Sequence, residues 1–336
     1  MSPSRFPVRW PPGYRALAES LGPGSPLLRM GDPSPGEALP DPDALPDPTG
    51  DGLLRPIPFL VRKHPDRALV LVTGRCFFYC RFCFRRADPL HRGLAPSRGD
   101  WDRIASWLRA HPEVREVILS GGDPLTLPDR TLAGIARLLG TVPHLAGWRI
   151  HTRAPVVLPG RVTPRLLASI RSGPPVRVVI HADHPAEIRP AVLDAVRALR
   201  GAGIPVENQA VLLRGVNDRP AVLGLLFRRL RDAGVGLRYL HHPDRAPGNA
   251  PFRVTIRRGL AAYREAARAV PDPPPYVVDL PNGAGKAPVE RLVPVAREAR
   301  GTRTRTRYRW VRPGGWSAVV PDTRYEWWDI WEERRR

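Results

Sequence analysis

Cysteine is nearly absent from this chain: there are three in 336 residues. So few cannot build a disulfide framework, and an odd number leaves one thiol over. Lysine is scarcer still. Lys and Arg together number 53, yet only Lys63 and Lys286 are lysine. No apolar run reaches the ~18 residues that a membrane helix needs, so no span is expected. Prolines interrupt the first 24 residues and leave no signal-peptide core. Thiols without a pairing framework and no recognisable leader point to a reducing, cytoplasmic setting. No internal repeat of the solenoid kind is present.

What the chain has in excess is arginine, with 42 prolines and 30 glycines, for a formal net charge of +21. A balance this basic first suggests nucleic acid. The excess is almost all arginine, though, in a composition typical of GC-rich coding, and it reads better as solvated surface. The same bias makes the two lysines informative. Arginine replaces lysine wherever only positive charge is needed, but not where an amine must deprotonate and form a Schiff base. A lysine kept in such a chain is a candidate for covalent chemistry.

All three cysteines fall within eight residues, Cys76-Phe77-Phe78-Tyr79-Cys80-Arg81-Phe82-Cys83. The C-x-x-x-C-x-x-C spacing lets the sulfurs face one ligand, and thiolates select zinc or iron–sulfur clusters. A structural zinc wants four protein ligands and would have to recruit a histidine, His64 or His91 being nearest. A [4Fe–4S] cluster on three thiolates keeps one iron open.

Residues 1–55 are proline-rich and read as an extended arm, with a short helix near 14–20. Strand and helix then alternate. Strands are expected at 68–73, 116–120, 148–151, 176–181, 206–212 and 236–240. Helices are expected at 101–110, 129–139, 163–170, 186–200 and 220–233. Short apolar runs alternating with helical spacing argue a buried parallel sheet, and six such strands fit a partial (β/α) barrel. A helix at 257–269 and a strand at 276–279 complete the array. Nearly every strand ends in a chemically capable group: Thr73, Ser120 to Asp123, His151 to Arg153, His181, Gln209, His241-His242 and Asp279. In such barrels the working face is at the strands' C-terminal ends. Residues 291–336 differ: Arg303, Arg305, Arg307 and Arg309 alternate with Thr, Tyr and Trp, as in an exposed strand of a small hairpin packed on the barrel.

With aromatics at Tyr79 and Phe82, the cysteine motif resembles the radical S-adenosylmethionine (SAM) signature. Cys80-Arg81-Phe82-Cys83-Phe84-Arg85-Arg86 is similar to the lysine 2,3-aminomutase family in particular. The resemblance covers about residues 45–290 and implies an α/β fold, a partial (β/α)6 TIM-like barrel of the radical SAM type at 56–290. The proline-rich arm precedes it and a small basic, aromatic extension follows. It implies that Cys76, Cys80 and Cys83 hold a [4Fe–4S] cluster. In Ser120-Gly121-Gly122-Asp123-Pro124, residues Gly121, Gly122 and Asp123 match positions that contact SAM, as do His181 and Gln209. Pro281-Asn282-Gly283-Ala284-Gly285-Lys286 is not a P-loop, since no Ser or Thr follows Lys286. In the family a Gly-rich loop ending in Gly-Lys carries pyridoxal 5′-phosphate (PLP) on that lysine. Asn282 and Ala284 depart from the near-all-glycine form and leave the amine in place. Lys63 and Arg67 match a basic segment near the PLP phosphate, with His64 where the family has an aromatic.

Arg85 matches the arginine that holds the substrate carboxylate, a bidentate task suited to guanidinium. Asp244 and Asp279 match two aspartates that hold the side-chain ammonium, and two carboxylates in a closed site favour a cation. The function so implied is L-lysine 2,3-aminomutase, with a flavodoxin- or ferredoxin-type reductant as partner. Neither membrane nor nucleic acid is an expected partner, and self-association is left open. Three other readings stay open: a mutase preparing β-lysine for elongation factor P, a mutase for another cationic amino acid, and a zinc protein binding RNA through its basic tail.

Overall fold

The structure is a computed structural model that describes residues 6–87, 93–280, 285–300, 302–311, 324–329 and 332–333. One sheet organises it. Seven strands run parallel in chain order: β2 (Arg67–Thr73), β3 (Glu116–Gly121), β4 (Gly147–Thr152), β5 (Val176–Ile180), β6 (Val206–Val211), β7 (Gly236–His241) and β8 (Tyr276–Leu280). β1 (Leu60–His64) flanks β2 and β9 (Gly285–Pro288) flanks β8, both antiparallel. These two strands are the sheet's edges, so the barrel is open. The expected strands are all present. The two edges were not anticipated, because each is short and polar.

Helices cover the outer face. They are α3 (Arg98–Arg109), α4 (Asp129–Gly140), the single-turn α5 (Ala154–Val157), α6 (Pro164–Ile170), α7 (Pro190–Gly201), α8 (Pro220–Asp232) and α9 (Ile256–Ala267). Several start on proline, whose fixed φ and missing N–H cost nothing in a helix's first turn. Ser97 and Asp100 close a capping box on α3. α4 buries Leu132, Ile135, Ala136 and Leu139, one stripe of a 3.6-residue period, against the sheet. Each large apolar side chain buried there contributes about 1.5–3 kcal/mol.

Strand parity decides where the chemistry lies. Val70, Val72, Val117, Leu119, Trp148, Ile150, Val178, Ile180, Val206, Ala210 and Leu240 all join the core under the helices. Successive side chains of a strand point to opposite faces. The other parity therefore lines the barrel, and much of it is polar: Arg67, Glu116, Ser120, Arg149, His151, Glu207, Gln209, His241 and Asp279. The sheet is thus not apolar on both faces, as its short apolar runs suggested. Arg149 is buried and pairs with Glu116 at 2.7 Å, and Arg238 pairs with Glu207 at 2.7 Å near the strand starts.

The N-terminal segment carries the expected short helix, α1 (Pro12–Ser20), and a second, α2 (Pro26–Gly31), and the two pack on the cysteine loop rather than extending from it. Tyr14, Leu27, Met30, Phe78, Leu213 and Phe252 form one buried cluster. Beyond β9, the strands β10 (Val293–Arg300), β11 (Arg303–Val311), β12 (Arg324–Trp328) and β13 (Glu332–Glu333) make an antiparallel sheet. The side chains of Tyr308 and Trp310 are buried in the barrel's core, so their parity faces inward. Trp316 and Trp331 lie outside the described residues. Among the described residues, no helix is long and apolar enough to cross a membrane.

Candidate active site

The cysteine loop leaves β2 at Thr73 and lies directly against the Gly121-Gly122 turn. Gly122 N donates to Thr73 O at 2.5 Å and Asp123 N donates to Arg75 O at 2.7 Å. The turn must be glycine. Gly121 has φ +112°, and a Cβ on Gly122 would lie 2.2 Å from the Arg75 carbonyl oxygen. Cys76, Cys80 and Cys83 are free thiols. Burial raises the pKa of all three, Cys80 to about 12; charge on Cys83 or Cys80 raises Cys76 further, and charge on Cys83 raises Cys80. Buried sulfurs that resist ionising together are suited to a cation-rich cluster that neutralises their charge. Among the described residues, no three His, Cys, Asp or Glu side chains are grouped around a single-ion site. His64 is therefore not grouped with the cysteines as a further zinc ligand. His91 lies outside the described residues.

The arm clamps this loop. Phe78 sits 4.7 Å from the Trp10 ring and 5.1 Å from the Tyr14 ring. Glu37 takes the buried guanidinium of Arg81 and also that of Arg86, the latter at 2.7 Å. Glu37 was not singled out in the sequence, because its partners lie 44 and 49 positions away.

Asp123 does not offer its side chain to a ligand, contrary to expectation. Oδ1 accepts from Leu125 N and Thr152 Oγ1, and Oδ2 from the amides of Arg153 and Ala154. Four donors fill a carboxylate's acceptor sites. Its contribution is to tie the glycine turn to the end of β4.

Deeper in the barrel, Gln209 Nε2 lies 3.2 Å from His181 Nε2 and 3.4 Å from His151 Nδ1. Burial drives both histidines' pKa down, His181 to about 3. Neutral rings can accept from the Gln209 amide. The Nε2 atoms of His151 and His241 are buried without a partner in the protein, so two polar atoms are available to a bound molecule.

Register explains the next group. Asp279 of β8 stands directly opposite Lys286 of β9. Lys286 Nζ donates to Asp279 Oδ1 at 2.5 Å, and Asp279 Oδ2 lies 2.9 Å from His241 Nδ1. Burial opposes the charge of Lys286, yet Asp279 and then Asp244 outweigh it and raise its pKa. Burial raises the Asp279 carboxyl as well, but Lys286 and His241 more than reverse this. Asp244 goes the other way: burial and the charge of Asp279 push its carboxyl up. The loop residues Asn282, Gly283 and Ala284 lie outside the described residues.

Arg85 and Lys63 converge on a carboxylate that the sequence did not flag. Asp51 is buried and forms an ion pair with Arg85 Nη1 at 2.5 Å through one oxygen, while Lys63 Nζ pairs with the other. Burial raises Asp51, but Arg85 and Lys63 overcome this and hold it well below the usual carboxylate range. Arg67 instead pairs with its neighbour Asp66 through both nitrogens. The two basic residues expected together near a phosphate are thus committed to different acids. Asp244 joins the halves: its carboxylate feels Asp279, Lys286, Lys63 and Asp51, and Cys83 feels it in turn. The thiols and Lys286 therefore share one charged interior. His151 and His241 were noted as strand-end groups; Asp51, Asp183 and Glu187 carried no signal.

A family description, the radical SAM superfamily, matches residues 70–223. Known proteins match over a longer stretch. L-lysine 2,3-aminomutase of Escherichia coli (strain K12) is 38% identical over 77% of this chain and 76% of its own length. The Clostridium subterminale L-lysine 2,3-aminomutase is 36% identical over 83% of this chain and 67% of its own. A Treponema pallidum (strain Nichols) protein, provisionally named for the same activity, is 39% identical over 73% of this chain and 70% of its own. These matches set aside the reading as a non-enzymatic zinc protein. The glycine turn, the thiol loop and the paired acid and lysine at the sheet's last edge sit on a chain that belongs to the L-lysine 2,3-aminomutase family of radical SAM isomerases.

Proposed function

We propose that this enzyme interconverts L-lysine and L-β-lysine by moving the amino group between C2 and C3. It would use a [4Fe–4S] cluster on Cys76, Cys80 and Cys83, SAM, and PLP on Lys286. When bound, the cluster with SAM supplies a 5′-deoxyadenosyl radical, and PLP supplies the linkage through which nitrogen migrates. A one-electron donor of the flavodoxin or ferredoxin type would feed the cluster.

The chain's own residues have separable tasks in this reading. The Gly121-Gly122 turn brings backbone next to the thiol loop, and Gln209, with the neutral rings of His181 and His151, offers hydrogen bonds to SAM. Arg85 takes the substrate carboxylate, exchanging Asp51 for it. Lys63 is held beside Arg85 by the same Asp51 and would likewise exchange it, for the PLP phosphate. Arg67 would also take the phosphate, with Arg149 and Arg238 as electrostatic neighbours, each of the three also paired with an acid, Asp66, Glu116 and Glu207. Asp279 and Asp244 take the side-chain ammonium.

One observation carries the choice of a cationic substrate. Asp279 already holds a lysine ammonium, that of Lys286, and Asp244 lies near enough to favour its charge. Once the Lys286 amine is committed to PLP, the pair is left to a cation from outside, and an acidic side chain there would meet like charge. The test is an anaerobic assay of reconstituted enzyme with SAM, a reductant and a panel of amino acids. β-Lysine from lysine, with little turnover of glutamate, supports the reading. Turnover of an acidic or neutral amino acid in preference to lysine would refute it.

A further inference from the structure

Arg153 is a heavily bonded side chain of the interior and has no part in the assignments above. It follows β4 and is buried at 7% exposure. Nη1 donates to Asp183 Oδ2 at 2.6 Å and lies 3.5 Å from Cys80 Sγ; Nη2 donates to Glu187 Oε1 at 2.8 Å and lies 3.6 Å from Met30 Sδ. The guanidinium also faces the rings of Phe78 and Phe82, which flank Cys80, at 5.3 and 5.6 Å.

The acids that hold it are themselves fixed. Asp183 Oδ1 accepts from Val211 N at 2.8 Å. Glu187 Oε2 accepts from the amides of Asp183 and His184, and Oε1 also accepts from Tyr14 Oη at 2.7 Å. Each carboxylate thus spends an oxygen on the backbone and another on Arg153. A buried cation paired with two carboxylates has its charge balanced without the sulfur contact. The frame nevertheless brings one N–H to the middle cysteine of the motif.

We propose that Arg153 is a positioning residue that hydrogen-bonds the Cys80 thiolate and raises the reduction potential of the cluster held there. This rests on the reading of the three cysteines as cluster ligands. Hydrogen bonds to ligand sulfurs are among the factors that set cluster potentials. An N–H aimed at a ligand sulfur stabilises negative charge, and the reduced cluster carries one more negative charge than the oxidised one. The bond therefore favours reduction. A planar fork is needed to reach both acids and the sulfur at once, which a lysine cannot do.

The experiment is an electron paramagnetic resonance redox titration of anaerobically reconstituted protein without SAM, with iron and sulfide counted. Arg153→Lys keeps the charge and loses the fork. It is expected to load iron as the parent does, with a midpoint potential shifted negative. Tyr14→Phe, which removes an outer bond to Glu187 and leaves the sulfur contact, is expected to keep the parent potential. Should Arg153→Lys fail to fold, the pair Arg153→Gln with Glu187→Gln, which removes a cation with one of its acids, is titrated instead and is expected to shift the same way. An unchanged midpoint in a loaded Arg153 variant overturns the proposal. So does an equal shift in Tyr14→Phe, or a variant that melts like the parent yet takes up no iron. A parent that binds no iron would sink the cluster reading itself and this inference with it.

Discussion

Asp279→Asn tests the substrate assignment most sharply, because the change removes a charge and almost no volume. In the enzyme without its amino acid, the substitution breaks the contact to Lys286 at 2.5 Å. Removing one partner of a buried pair costs about 3–5 kcal/mol. Two features reduce that here. The Lys286 side chain is 33% exposed, and Asp244 ionises more readily once the charge of Asp279 is gone. A loss of about 1–3 kcal/mol is therefore expected, which the fold should survive. During turnover the loss is one charge-assisted hydrogen bond to the substrate ammonium, about 1.5–3 kcal/mol. At ~1.4 kcal/mol per factor of ten, kcat/KM for lysine should fall about 10- to 150-fold. The assay is β-lysine formation under anaerobic conditions, with PLP measured by borohydride labelling of the Lys286 peptide and iron counted in the same sample. Norleucine, the uncharged analogue, provides the internal comparison. If lysine keeps its kcat/KM within about twofold, or if binding of lysine and norleucine weakens equally, Asp279 does not read the ammonium and the reasoning fails.

Lys286→Arg keeps a cation beside Asp279 but cannot form an imine; it should lose the borohydride label and all mutase activity while keeping its iron and melting point. Gly122→Ala places a methyl group 2.2 Å from Arg75 O, a backbone atom. It should lower the melting temperature and the iron content together, whereas Gly134→Ala in α4, with nothing within 4 Å, should stabilise by up to about 1 kcal/mol. Acid should weaken the fold early. Burial sets the folded pKa of His181 and His242 at about 3, below the ordinary histidine value, so their contribution is complete above pH ~6.5 and is lost as pH falls toward the folded value. Each can cost up to about 1.4 kcal/mol per pH unit. The urea midpoint should drop between pH 7 and 5, and a flat midpoint over that range would refute the claim.

The parallel strands were legible because each is a short apolar run between helical segments, and Cys76, Cys80, Cys83 and Lys286 stood out by rarity. The resemblance placed Arg85, Asp244 and Asp279, which the structure brings into one electrostatic neighbourhood. Partnership was harder to read. Tyr14 meets Glu187 across 173 positions, and Arg153 meets Glu187 across 34, distances that no local pattern encodes. Asp123 shows the opposite error: a polar residue in a glycine turn looks available until its four donors are counted. The edge strands β1 and β9 escaped notice because Lys63-His64 and Gly285-Lys286 carry little of the apolar content that marks a buried strand.

The docked N-terminal segment has a consequence for how the protein comes into being. It lies early in the sequence, yet part of what it fastens to lies far along it: Arg29 bonds the carbonyls of Arg214 and Pro251, and Leu45 N bonds that of Arg245. Until Arg214 to Pro251 have been made these latches have nothing to close on, and the segment is held to the loop bearing the three thiols by its nearer contacts alone, those of Trp10, Tyr14 and Glu37. Afterwards, any repair of the centre must first pry the latches open.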